Sequence, residues 1–113
     1  MKIVNKTGRT IALYIDGTWE TFFADGSAAV VKESLQPYII SGIQISKYSY
    51  VGIDNLPEKQ RDTLIVVDKD IAIRCWQQLR DDIVYMHSPN VRDDKHNSVA
   101  SMILVCWQNS KFS

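Results

Sequence analysis

The sequence has no long apolar run, no excess of one charge and few glycines. No apolar stretch approaches the roughly 20 residues that a membrane-spanning helix requires, and residues 1–5 lack the apolar segment of a signal peptide. We therefore expect no membrane partner and a location in the cytoplasm. Thirteen basic residues balance thirteen acidic residues. A broad basic surface for nucleic acid is not expected, although a small basic pocket for one anion is compatible with this balance.

Glycine, cysteine and histidine are too scarce or too scattered for several kinds of site. None of the five glycines directly precedes the helix predicted at Asp68, which argues against a P-loop or dinucleotide-binding fold. A disulfide between Cys75 and Cys106 is compatible with their number, but nothing indicates secretion, so buried reduced thiols are favoured. His87 and His96 lie nine residues apart without a close pair of ligands, so we predict no metal site and no cofactor.

The first third of the chain has the pattern of antiparallel strands. Apolar residues alternate over residues 11–15, and the dipeptide of Asp16 and Gly17 then favours a tight hairpin. Residues 19–23 form the predicted return strand, and residues 28–32 a third strand. We therefore predict a meander with local contacts.

The middle of the chain is less regular but carries two notable aromatic residues. Pro37 excludes a central strand at its position, and a strand is predicted on either side of a break near residues 46–47. Tyr48 and Tyr50 lie two residues apart, which places them on one face of that strand among polar neighbours. We predict that this pair is exposed and contacts or stacks on a partner.

The second half contains the clearest strand and the only predicted helix. Residues 63–67 are apolar on both faces, which indicates an interior strand. A helix is predicted over residues 68–79, with Asp68 as its N-cap, an apolar stripe containing Cys75 and Leu79, and Arg80 in its last turn.

Further strands are predicted after that helix. Residues 83–86 form a short strand, a hairpin follows Val91, and residues 99–107 form the longest apolar strand, expected at the centre of the sheet. The predicted fold is α+β, with one domain over residues 1–113. It contains a mostly antiparallel sheet of about six to eight strands and one principal helix on one face.

Two clusters of arginine and aspartate flank a polar turn in this half. An arginine can bind a phosphate through two N–H groups, a carboxylate can accept from a ribose hydroxyl or a base amine, and turn side chains can add donors. A structural alternative pairs Arg80 with Asp93 and Arg92 with Asp82, and it is favoured because ion-pair networks commonly imitate sites. The predicted ligand-binding residues are Arg80, Asp82, Ser88, Asn90, Arg92 and Asp93.

Several short motifs resemble a family of small proteins carried by phages, prophages and actinobacterial genomes. They include residues 63–67 and the helix after them, the charged residues 80–82, and Val91-Arg92-Asp93 followed by a turn and an apolar strand. Residues 52–57 are similar to a Gly-Leu-Pro connection. Residues 5–9 resemble an Asn-x-Thr-Pro-His opening in which Gly8 and Arg9 replace the proline and histidine. This resemblance implies a viral or mobile-element setting and no particular reaction.

In that setting we expect a non-enzymatic protein that sequesters a small phosphorylated, nucleotide-like ligand to counter host antiviral defence, in the host cytoplasm. One alternative is a protein–protein inhibitor or assembly component that contacts a host protein. A second alternative is a small nucleotide hydrolase, although no catalytic residue is predicted, because neighbours such as His87 and Ser88 on a strand point to opposite faces. We expect a homo-oligomer, since a subunit interface deepens the shallow pocket of a small domain.

Overall fold

The computed structural model describes residues 1–87, 91–92, 98–101 and 103–108, and it describes the side chains of 1–87, 101 and 103–108. The elements in these residues are, in chain order, β1 (Lys2–Asn5), β2 (Thr10–Ile15), β3 (Thr18–Phe22), β4 (Val30–Ile40), β5 (Ile43–Asp54), β6 (Thr63–Val66), α1 (Lys69–Gln77), β7 (Ile83–Met86), β8 (Val91–Arg92), β9 (Ser98–Ser101) and β10 (Leu104–Cys106).

The central sheet has the strand order β1-β6-β7-β10. β1, β6 and β7 are parallel to one another, and β10 is antiparallel to β7. Ile65 and Val66 of β6 are almost fully buried, because their side chains point into apolar clusters on opposite faces of this sheet. The prediction of an interior strand at this position is confirmed.

A second sheet, in the order β3-β2-β9-β8, covers one face of the central sheet. Asp16 and Gly17 have φ angles of 50° and 82° and connect β2 to β3, so the predicted hairpin is confirmed. Ile11 and Leu13 of β2 pack against Val66, together with Val84 and Met86 of β7. β9 runs parallel to β2, a pairing that apolar alternation alone does not predict.

Helix α1 packs on the opposite face of the central sheet, which confirms the α+β class with a helix on one face. Its buried residues are Ile71, Ala72 and Cys75. The helix ends at Gln77, so the prediction that it extends to Leu79 is wrong.

Leu79 ends the helix in the left-handed conformation, with φ of 65°. The N–H of Leu79 donates to the carbonyl of Trp76 (2.9 Å), and the N–H of Arg80 donates to that of Cys75 (3.0 Å). These are the bonds of a Schellman motif, which reverses the chain. Leu79 is therefore 75% exposed and lies outside the apolar stripe to which it was assigned, and Arg80 lies beyond the last turn.

The hairpin of β4 and β5 is a separate two-stranded sheet. It replaces the predicted meander, because β4 pairs with β5 and not with β3. The irregularity in its ladder lies between Lys32 and Glu33 and not near residues 46–47. Pro37 lies on β4, which is an edge strand, so the prediction that it excludes a central strand is confirmed.

Part of this hairpin projects from the body of the protein. Val31 and Ile53 at its base pack on the core. We call residues 35–47 the hairpin arm. The radius of gyration is 17.0 Å and the longest dimension 62 Å, whereas a compact chain of this length has a radius of about 13 Å.

The predicted central strand at residues 99–107 is two strands in two sheets, so that prediction is wrong. β9 belongs to the second sheet, and β10 is an edge strand of the central sheet. The chain crosses between them at Ser101, whose Oγ donates to the carbonyl of His87 (2.7 Å) and accepts from the N–H of Ile103 (3.3 Å). Leu104 and Cys106 of β10 pack against the apolar cluster between the two sheets.

Cys75 and Cys106 are both free. Cys75 is fully buried on the sheet-facing side of α1, as the reduced-thiol interpretation predicts, whereas Cys106 on the edge strand is only half-buried. In the part of the chain that the structure describes, no helix has the length and apolar character needed to cross a membrane.

Candidate functional site

Arg80 and Asp82, two of the predicted ligand-binding residues, form an internal ion pair. Nε and Nη2 of Arg80 donate to the two carboxylate oxygens of Asp82 at 2.8 Å each, and Nη2 also donates to the carbonyl of Pro57 (3.0 Å). The hydrogen bond with Asp82 raises the pKa of Arg80. Asp82 is 0% exposed, so this pair holds the end of α1 against the loop after β5 and leaves the carboxylate closed to a ligand.

The structural alternative expected ion pairs in this region, and Asp82 does pair with Arg80. The pairings that it gave to Arg92 and Asp93 lie outside the described side chains and stay predictions. Arg92 lies in β8, where its backbone is opposite Val99. Ser88, Asn90 and Asp93 lie outside the described residues, and their role in ligand binding stays a prediction.

Arg80 and Asp82 lie at the opposite end of β7 from His87. Arg80 and Asp82 precede β7, whereas His87 follows it. Asp82 and His87 are five positions apart, which is about 16 Å along an extended strand. Polar residues that precede β7 therefore do not share a small site with the end of that strand.

A cavity of about 330 Å³ lies at the carboxyl ends of β6 and β7, beside the first turn of α1. This is the end of a parallel sheet where ligands commonly bind. The described residues that line it supply three basic side chains, one carboxylate, one phenol and two apolar side chains, namely Arg9, Lys69, His87, Asp68, Tyr85, Val67 and Met86.

The charged side chains of this cavity are accessible. Nη2 of Arg9 is 3.0 Å from Oδ1 of Asp68, and both side chains are nearly half exposed. The ammonium group of Lys69 lies over the ring of Tyr85, 5.9 Å from its centroid. The side chain of His87 is exposed. The backbone N–H of His87 donates to the carbonyl of Ile103 (2.9 Å) and fixes the end of β7.

Asp68 has the backbone conformation of an N-cap, with φ of −68° and ψ of 156°, and its carbonyl accepts the helical N–H of Ala72. Its carboxylate, however, makes no capping hydrogen bond and pairs with Arg9 instead. The prediction of a side-chain cap at Asp68 is therefore wrong. The first-turn N–H groups receive no acceptor from this side chain, which leaves the positive end of the helix dipole beside the cavity.

The loop that presents Arg9 is held by Asn5, which is 2% exposed. Nδ2 of Asn5 donates to the carbonyls of Arg9 (2.6 Å) and Phe22 (2.9 Å), and Oδ1 accepts from the N–H and hydroxyl of Thr7. Gly8 has a φ of 80°, and a Cβ there would lie 2.9 Å from the Cβ of Ala28. The opening motif is therefore a rigid support for Arg9.

Sequence reasoning did not identify this cavity. In the sequence Arg9 is distinguished only as a departure from a motif, and the sequence does not give the position in three dimensions of the helix that begins at Lys69. Among the described residues, His87 belongs to no group of three side chains that could hold a metal ion. One available signal was that Asp68 and Lys69 directly follow an interior strand, which places them at its carboxyl end.

Tyr48 and Tyr50 contact the exposed side of α1. The hydroxyl of Tyr50 accepts from Nε2 of Gln78 (2.7 Å), and the guanidinium of Arg74 lies 5.0 Å from the centroid of its ring. Nη2 of Arg74 is also 3.5 Å from the hydroxyl of Tyr48, which is 46% exposed. These contacts join the hairpin to the helix, and a role in contacting a partner stays a prediction.

No protein-family model matches the chain, and no curated protein or solved structure is significantly similar to it. The resemblance to small phage and actinobacterial proteins therefore stays a prediction from short motifs. Function has to be inferred from the geometry of the chain itself.

Proposed function

We propose that this is a non-enzymatic binding protein that holds a small phosphorylated ligand in the cavity between Arg9, Lys69 and His87. The observation that carries the proposal is the convergence of these three basic side chains, from separate segments, on one cavity beside a helix start without a side-chain cap. Helix N-termini and guanidinium groups both favour phosphate oxygens. A volume of about 330 Å³ is at the lower end of the range for small-molecule pockets.

Each lining group has a distinct part in this proposal. Arg9 uses one of its five N–H donors on Asp68 and keeps others for a phosphate. Lys69 supplies a mobile positive charge, and His87 supplies a ring donor. Asp68 would accept a ribose hydroxyl or a base amine, which makes the site suited to a nucleotide-like ligand.

The lining favours binding without turnover. Its described residues offer donors to an anion but include no serine, threonine or cysteine that could act as a nucleophile. Burial raises the pKa of Cys75, in the core, to about 11, which keeps that thiol protonated and unreactive. In the phage setting that the motifs imply, the ligand would be a nucleotide messenger of host defence, withdrawn in the host cytoplasm.

A thermal-shift titration with inorganic phosphate, pyrophosphate, ADP-ribose and cyclic dinucleotides tests the proposal, with chromatography of the recovered probe. A probe at 100 times its dissociation constant stabilises the folded state by about 2.7 kcal/mol. We expect at least one probe to raise the melting temperature and to be recovered unchanged. Arg9→Ala should abolish that shift.

Arg61→Ala is the matched control, because Arg61 is an exposed arginine of the loop before β6 and does not line the cavity. The proposal would be overturned if no probe raised the melting temperature of the wild type, or if Arg9→Ala and Arg61→Ala lost the rise to the same extent. Consumption of the probe would establish the hydrolase alternative.

A second candidate function, that of an assembly component, is favoured by the hairpin arm. The arm exposes apolar side chains on a projecting ribbon, and these side chains belong neither to the core clusters nor to the lining of the cavity. Replacing residues 35–47 with a short turn should leave the response to phosphate intact if the cavity and the arm serve separate functions. Loss of that response in a folded variant would show that ligand binding needs the arm.

A further inference from the structure

The hairpin arm is an unpartnered two-stranded ribbon. Beyond its own ladder, no hydrogen bond or ion pair of the described residues joins residues 35–47 to another element. An isolated two-stranded hairpin is marginally stable in water, and three or more strands are normally needed. We therefore expect the arm to be stabilised by pairing with further strands.

The surface of the arm is apolar and nearly uncharged. Lys47 is the only charged residue among residues 35–47. Its exposed large apolar side chains, on both faces, are Leu35, Tyr38, Ile39, Ile40 and Ile43. They present on the order of 500 Å² of apolar surface. Each partner in a standard interface contributes roughly 800 Å², so the apolar surface of one arm is smaller than a standard interface. Main-chain hydrogen bonds along a paired strand edge would supply the remaining affinity.

The two edges of the arm differ in their capacity to accept another strand. Ile40 and Ile43 flank the two-residue turn and form a hydrogen-bonded pair, so the alternating ladder makes Pro37 and Ser46 a non-hydrogen-bonded pair. The backbone groups of such a pair point away from the hairpin. Because proline has no N–H, Pro37 interrupts the outer edge of β4.

The outer edge of β5 has no such interruption. By the same alternation, Gln44, Ser46 and Tyr48 direct their N–H and carbonyl groups outward. Natural edge strands are usually protected by proline or by charge. Within the arm, proline protects β4, and the β5 strand carries only one charged residue, Lys47. The open edge is therefore that of β5.

We propose that β5 of the arm pairs antiparallel with β5 of a second copy about a twofold axis, which makes a four-stranded sheet in the order β4-β5-β5-β4. A second copy fits this edge because the chain has no net charge to repel another copy. With Ser46 opposite Ser46 of the second copy, Lys47 lies opposite Ile45. A register centred on Lys47 would instead oppose two lysines, which is unfavourable.

This inference is independent of the cavity at Arg9, and it gives the expected homo-oligomer a specific interface. Sedimentation equilibrium of the full chain between about 1 and 100 µM tests it. We expect a dimer of the 12.9 kDa chain. Gln44→Pro removes one outward N–H from β5 and should weaken the dimer at least tenfold.

Ile39→Pro is the matched control for that variant, because Ile39 lies directly opposite Gln44 and its N–H points out from the β4 edge. The Ile39→Pro variant should therefore remain dimeric. A wild-type chain that stays monomeric at 100 µM would overturn the proposal, and so would equal loss of the dimer in both proline variants.

Cysteine cross-linking supplies a readout that does not depend on tolerance of proline. Paired residues of antiparallel strands have Cα atoms about 5.5 Å apart, within the range of a disulfide. Oxidation of Ser46→Cys should therefore give a covalent dimer. Ser49→Cys should not, because about 20 Å would separate its two copies in this register. Cross-linking of Ser49→Cys with none of Ser46→Cys would overturn the proposed interface.

Discussion

The carboxylate of Asp68 lies 3.0 Å from Nη2 of Arg9, although Asp68 occupies the N-cap position of α1. A capping residue normally satisfies a first-turn N–H with its own side chain. Here the carboxylate of Asp68 instead forms an ion pair with Arg9, which is 59 positions away in sequence, in the loop between β1 and β2. The pair thus joins the first loop of the chain to the helix start, and it also sets the charge at the mouth of the cavity.

Removing the charge of Asp68 should improve anion binding. Asp68→Asn removes no capping hydrogen bond, because the carboxylate makes none, and an exposed ion pair contributes only about 0–1 kcal/mol, so stability should change little. The phosphate affinity should rise several-fold, because a negative charge leaves the cavity and Arg9 is released. A phosphate titration followed by calorimetry measures this. Asp70→Asn is the control, since Asp70 is also in the first turn but does not line the cavity. An equal rise in phosphate affinity in Asp70→Asn would contradict the proposal that phosphate binds in this cavity.

The ion pair of Arg80 and Asp82 should contribute to stability and not to ligand binding. Asp82→Ala leaves a partly buried guanidinium without its partner and should cost about 3 kcal/mol, measured by urea denaturation. Lys59→Ala, which breaks the more exposed pair with Asp81, should cost about 1 kcal/mol or less. If Asp82→Ala abolished phosphate binding in a folded protein, the ligand-binding role predicted for Asp82 would be restored.

The thiol of Cys75 should make stability depend on pH in the alkaline range. Burial raises its pKa from 9.0 to about 11 in the folded state. As the pH rises, the unfolded chain therefore loses this proton before the folded chain does. The contribution of the Cys75 thiol to the free energy of unfolding is fully present below pH 9 and falls as the pH rises towards 11. Two pKa units correspond to a loss of about 2.7 kcal/mol.

Urea midpoints of the wild type and Cys75→Ala between pH 8 and pH 11 isolate this contribution, since the other titrating groups are common to both. The difference between the two proteins should shrink as the pH rises. A constant difference would show that Cys75 keeps an ordinary pKa.

Glycine at position 79 should stabilise the protein. Leu79 has a φ of 65° and is 75% exposed, so it bears the strain of the left-handed conformation and contributes little packing. Leu79→Gly relieves about 1 kcal/mol of that strain, which a thermal melt detects. Leu79→Ala keeps the Cβ and should give no gain. A loss of stability in Leu79→Gly would instead indicate that this side chain packs in the apolar stripe predicted from the sequence.

Several elements follow from local chemistry and could be predicted. Residues 64–67 are apolar at successive positions, which favours a strand covered on both faces, and β6 occupies such a place. Asp16 and Gly17 tolerate positive φ, so the hairpin between β2 and β3 required no knowledge of the remaining fold.

Other predictions failed because local patterns have two tertiary solutions. An apolar segment at residues 99–107 fits one buried strand or two strands on facing sheets, and the buried hydroxyl of Ser101 marks the crossing. Spacing by four residues included Leu79 in the helical stripe, but the Schellman motif ends the helix before it.

The candidate sites show the same division. Sequence alone determined which residues are chemically able to bind a phosphate, since that depends on side-chain type. Tertiary structure decided which of them remain available, because Asp82 is closed by Arg80 whereas Arg9, Lys69 and His87 meet at the ends of β6 and β7. It also decided that residues 35–47 project as an arm, since a ribbon and a sheet interior require the same strand-forming residues and differ only in what packs against them.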